Sequence, residues 1–202
     1  STLVIVELLI PFFLAFEGRR PQARELVVLA VMCALAVAGR VAIPIPSFKA
    51  IFGIIMIAGI AFGPESGFLV GAISALASNF FYSQGPYTPW QMMAYGAGGM
   101  LAGFVFARGR LPRKPVVMGI FGFLAVAFFV GPLLDTCSVF LVMSRITLKG
   151  AMAFYISGFP VNLRQAVATA IVLLVLGKPL LEKLDRIKTK YGILDDEGRK
   201  EA

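Results

Sequence analysis

Between Ala23 and Leu176 the chain is a succession of apolar runs, each about as long as a helix, broken only by short stretches of Gly, Pro and charged residues. Such runs leave two fates, a buried core helix or a membrane span. Composition selects the second. Of 202 residues, 58% are hydrophobic and 15% charged, and mean hydropathy is +0.85. A soluble domain of this length cannot cover that much apolar surface. The expected fold class is all-α: an integral membrane six-helix bundle with an additional partial N-terminal transmembrane helix.

The breaks set the expected organisation. Residues 1–16 (STLVIVELLIPFFLAF) are apolar apart from Glu7 but too short for a comfortable span, and read as the end of a longer membrane helix. Residues 17–178 form the six-helix membrane domain, and 179–202 a charged cytoplasmic tail. The first core helix runs from about Ala23 to Ala42 and stops at Ile43-Pro44-Ile45-Pro46, where Pro forbids continuation. The next helices are expected at about 50–62, from the Gly63-Pro64-Glu65-Ser66-Gly67 turn to Phe80, from Pro89 to Ala107, and from Pro115 to Leu134. The last follows Pro160 and ends near Gly177, its charged continuation reading as a solvated helix end. Residues 135–159 either extend the preceding helix or form a structured hairpin.

Charge orients the bundle. The 19 basic against 11 acidic residues fall mostly in short loops, so membrane topology accounts for the balance better than nucleic acid does. Arg19, Arg20, Arg24, the RGRLPRK loop at 108–114 and the basic tail belong on one side, expected to be cytoplasmic. The basic tail places the C-terminus inside. The stretch 79–93 (NFFYSQGPYTPWQMM) then faces outward.

That stretch concentrates the polar side chains of the chain. Asn79, Tyr82, Gln84, Tyr87, Trp90 and Gln91 bring amides, hydroxyls and an indole N–H into one loop, and Gly85-Pro86 and Pro89 stiffen it. A rigid polar loop between apolar helices is a candidate ligand site; an interfacial belt of Tyr and Trp is the plainer alternative. The outward half also carries Arg40, Lys49, Arg145, Lys149 and Arg164 against Asp135. Arg164 within an apolar helix needs water or a partner, either a ligand or Asp135. Arg40 suits the C-terminal end of its helix dipole, and Lys49 reads as loop solvation. Asn162 offers either a site amide or a helix cap.

Absences exclude whole classes. The chain has no His and two isolated Cys, which removes haem, zinc and copper sites and imidazole catalysis. It has no G-x-x-x-x-G-K-[ST] loop and no paired intramembrane carboxylates. A chain equipped to bind a solute but lacking an engine points to an engine on other subunits.

The basic inner loops, Ala30-x-x-x-Ala34 on the first core helix and GPESGFLVGAISALASNFFYSQGPYTPWQM at 63–92 resemble the substrate-binding S component of an energy-coupling factor (ECF) vitamin transporter. Within that family the 83–92 run is most similar to cobalamin-specific members. The resemblance implies a non-catalytic importer subunit that binds a vitamin outside, topples in the bilayer and releases it inside. It implies a transmembrane coupling protein and two cytoplasmic ATPases as partners, no intrinsic cofactor, and ATP only on those partners. It assigns Ala30, Ala34 and Ala38 to partner docking. The implied pocket comprises Phe48, Asn79, Tyr82, Gln84, Tyr87, Trp90, Gln91, Arg145 and Arg164. A self-sufficient transporter or channel is the second reading, and a membrane enzyme or assembly subunit the third.

Overall fold

A computed structural model describes residues 23–42, 46, 48–107 and 109–192, together with Glu7, Ile10 and Leu14. The expected partial span at 1–16 lies outside these residues, except that Glu7, Ile10 and Leu14 are helical and exposed. The described chain is all-α. Its helices are α1 (Ala23–Val41), α2 (Ile51–Phe62), α3 (Pro64–Tyr82), α4 (Thr88–Phe106), α5 (Pro115–Val142), α6 (Leu148–Val175) and α7 (Gly177–Tyr191). We call the end carrying residues 83–87 the upper end, and the end carrying residues 109–114 the lower end.

The centre of the bundle is its shortest helix. All twelve residues of α2 are buried, although at 1.5 Å per residue it is only about 18 Å long. Its lower end stops at Gly63, whose φ of 95° suits glycine, and whose N–H bonds to Gly59 O at 2.9 Å. Pro64 then opens α3 at a position where a missing N–H costs nothing.

Helices α2, α3 and α4 approach along a glycine seam. A Cβ on Gly67 would sit 2.5 Å from Gly99 O and 2.7 Å from Gly59 Cα; one on Gly103 would sit 2.5 Å from Pro64 Cα. Backbones therefore touch directly, and α3 and α4 form the most extensive helix pair in the bundle. In lipid this close contact replaces a hydrophobic driving force that the solvent does not supply. Helices α5 and α6 are each long and apolar enough to cross a membrane. Their outer faces expose Ile120, Leu124, Phe128, Ile156, Val167 and Ile171, a surface suited to lipid.

Two boundaries depart from expectation, and the open stretch 135–159 is divided between two helices. Helix α5 continues past Leu134 to Val142 by taking up a π-turn at Val126–Val130, in which Gly131 N–H bonds back to Val126 O. Helix α6 starts at Leu148, not after Pro160, which lies inside it. Pro160 removes one backbone hydrogen bond, and packing against α5 holds the helix together across it. The segment after Leu176 is no solvated end. As α7 it buries Leu181 and Leu184 and runs beside α2, where Lys188 Nζ donates to Ala61 O at 2.7 Å. That amine satisfies a carbonyl in the last turn of α2.

The glycine seam predicts a steep response to a single methyl. Gly67→Ala should lower stability by about 1–3 kcal/mol, measured as a fall in the thermal unfolding midpoint in detergent. An unchanged midpoint would mean that the seam is loose.

Candidate functional site

Because α2 begins at Ile51, the upper half of the bundle has no central helix. The space above Ile51 is a cavity of about 200 Å³ lined by Arg40, Lys49, Ile51, Tyr82, Tyr95 and Gln165. Five of its six lining side chains carry polar groups, and two of them are cations.

Arg40 is the hub. It leaves α1 one residue before the helix ends, and its Nη1 donates to Ser78 Oγ and, at 2.9 Å, to Asn79 Oδ1 on α3. Its guanidinium lies over the ring of Tyr82 at 5.0 Å and over that of Tyr95 at 5.6 Å. Tyr82 returns its hydroxyl to Arg40 O at 3.0 Å. Two aromatic faces and two neutral acceptors surround the guanidinium and hold its orientation. Tyr95 is itself fixed edge-on against Phe52 of α2, with ring centroids 4.6 Å apart.

The 79–93 stretch supports this hub. Asn79 is fully buried, and its Nδ2 donates to Gln91 Oε1 at 2.8 Å and to Thr88 Oγ1 at 3.2 Å. Thr88 Oγ1 donates to Gln84 Oε1 at 2.9 Å and accepts from Gly85 N–H at 3.2 Å. Gln84 Nε2 donates to Leu76 O at 3.1 Å, and Tyr87 hydroxyl to Ser83 O at 2.7 Å. Ser83 takes φ of 81°, the left-handed backbone that lets the chain reverse between α3 and α4. Asn79, Gln84, Tyr87 and Gln91 thus bond within the loop and to Arg40.

The remaining sequence candidates are spread over the upper half. Tyr82 lines the cavity, and Phe48 is half-buried next to the lining residue Lys49. Trp90 stacks on Phe140 of α5 with centroids 5.6 Å apart, its indole Nε1 buried without a hydrogen-bond partner. Arg145 and Arg164 are exposed. Asp135 is bonded by Asn162 Nδ2 at 2.7 Å, so Asn162 reaches across to α5 and does not cap a helix.

Arg40 and Lys49, for which the sequence suggests plainer roles, belong to the cavity, as do Tyr95 and Gln165, which the sequence does not single out. For Arg40 a signal existed: an arginine placed before a Pro-rich break, inside apolar sequence, needs polar partners. For Gln165 none existed. One residue around a helix is about 100°, and with α6 expected to start after Pro160 its rotation was undetermined.

On the far side of α1, Ala30, Ala34 and Ala38 are exposed in one row. Ala34 and Ala38 line an apolar groove of about 610 Å³, together with Val37, Ala77 and Phe81. Small side chains on α1 and α3 leave this groove open. Among the described residues no group of three or more His, Cys, Asp or Glu is placed to hold a metal.

Asn79→Leu should cost about 1–3 kcal/mol by leaving Thr88, Gln91 and Arg40 short of partners, whereas Gln84→Ala at the exposed rim should cost less than about 1 kcal/mol. Unfolding midpoints of the two variants in detergent test the ranking; equal losses would refute it.

A family model described as "ECF-type riboflavin transporter, S component" matches residues 21–182. No curated protein and no solved structure matches the chain.

Proposed function

The chain belongs to the family of ECF-type riboflavin transporter S components, and from that premise we propose that it captures a flavin-type vitamin in the cavity beside Arg40. As a member it is a membrane-embedded, non-catalytic transport subunit that associates with the coupling and ATPase subunits of an ECF module. The observation that carries the site is the guanidinium held between two tyrosine rings above the central helix.

Several features favour a flavin over a corrinoid. A flavin is a flat heteroaromatic with carbonyl and ring-nitrogen acceptors along one edge. Arg40, Lys49 and Gln165 can donate to such an edge, and Tyr82 and Tyr95 offer ring faces. The family's own description names riboflavin. The amides that suggested a corrinoid, Asn79, Gln84 and Gln91, are engaged within the loop.

The distribution of charge supports an outward-facing upper end. The lower end carries Arg24, Arg110, Arg113, Lys114 and the cations of α7, which belong on the cytoplasmic side. Vitamin would then enter from outside, and the α1 alanine row with its groove would receive the coupling protein. Toppling on that protein would carry the cavity inward. The partners, not this chain, would supply the free energy.

Riboflavin titrated into the purified chain should lose fluorescence on stacking against tyrosine, and Arg40→Ala should weaken binding about tenfold or more, the scale of a lost charged hydrogen bond. Retention of cobalamin instead, read by native mass spectrometry, would keep the S-component role and overturn the flavin assignment. Ala34→Trp should abolish uptake by the complete transporter while leaving riboflavin affinity unchanged. Uptake at the wild-type rate would reject the docking face.

A further inference from the structure

A second cleft lies where α1, α2 and the junction of α6 with α7 meet. It has a volume of about 260 Å³ and is lined by Leu35, Ile54, Leu176, Pro179, Leu180 and Lys183. Every lining side chain is apolar except Lys183, at its rim. We propose that this cleft binds an anionic phospholipid, with an acyl chain against Leu35 and Leu180 and the phosphate against Lys183 and Arg186.

The sorting of charge on α7 points to that occupant. Its two carboxylates are engaged: Glu182 with Lys178 at 3.9 Å, and Asp185 with Arg113 at 3.5 Å. Lys183, Arg186 and Lys190, spaced three and four apart, share a helix face, are exposed, and have no ion pair among the described residues. Along α7 this face changes within about one turn from Leu176, Pro179 and Leu180 to Lys183 and Arg186. A phospholipid changes from hydrocarbon to phosphate over a similar depth. Leu35 on α1, itself exposed, forms the apolar wall of the cleft facing Leu180. An acidic peptide would match the cations but leave the apolar cleft unused, and a free phosphate would leave it empty.

The test is native mass spectrometry of the purified chain in neutral detergent with equal amounts of phosphatidylglycerol and phosphatidylcholine bearing the same acyl chains. The chain should retain phosphatidylglycerol in preference by on the order of tenfold, consistent with two cations at an anionic headgroup. Lys183→Glu with Arg186→Glu should reduce the ratio to about one, while Lys149→Glu at the upper end should leave it intact. Equal retention of the two lipids by the wild-type chain overturns the proposal, as does a preference that survives the double substitution. Should the double variant fail to fold, ionic strength gives the same decision on the wild-type chain. High salt should remove the preference, and a salt-insensitive one would overturn the proposal. Glycerol phosphate in excess should not displace the bound lipid; displacement would mean that phosphate alone is recognised. None of these readouts involves the vitamin, so their failure leaves the flavin assignment untouched.

Discussion

A fully buried helix of twelve residues at the centre of a membrane bundle is the constraint on which the rest of this structure depends. A hydrocarbon core is about 30 Å thick, and α2 covers about 18 Å of it. At Phe62 the chain reverses through the Gly63-Pro64 turn, and α7 runs alongside α2 and places Lys188 on its last turn. Above Ile51 no helix compensates, and the space becomes the polar cavity. One short helix thereby produces both a docked lower helix and an upper site.

Close packing makes that arrangement rigid. Lipid gives apolar side chains no reason to leave it for the bundle interior, so cohesion must come from contact and from polar pairing. The glycine seam supplies the first, letting α4 lie against α2 and α3 at backbone distance. The Arg40–Asn79–Thr88–Gln84 chain supplies the second and ties the ends of α1, α3 and α4 to one guanidinium. The seam and the network share helices α3 and α4, so a displacement of either helix would move Arg40 relative to Tyr95. A ligand held by Arg40 would therefore be sensed by the helices that pack against α1, whose outer face carries the alanine row.

The two ends of the molecule use cations differently. Above, Arg40 is sheltered by aromatic rings and neutral acceptors, an environment that keeps one positive charge directed at a small cavity. Below, cations are numerous and mostly exposed, and the two carboxylates of α7 are tied to neighbouring basic residues. A sheltered charge can orient a ligand; a dispersed set at the boundary of the hydrocarbon can set topology and attract anionic headgroups.

The sequence by itself determined the all-helical membrane class, the order of the helices, the basic face and the family, because each rests on apolar run length, Pro and Gly breaks and loop charge. It also singled out 79–93, the stretch that folds around Asn79. What it could not determine was where side chains point. Asn79 faces Arg40 and Gln91 faces Asn79, because the rotation of α3 and α4 is set by glycine contacts between residues 24 to 39 positions apart in the chain. Gln165 reaches the cavity and Arg164 faces outward, because the packing of α6 against α2 and α5 fixes its rotation. The path of α7 was equally hidden, since Leu181 and Leu184 acquire a buried face only once the lower half of α2 lies beside them. Local run length and chain breaks are written in neighbouring residues; helix rotation and docking are decided by contacts between distant ones, which only the tertiary structure brings together.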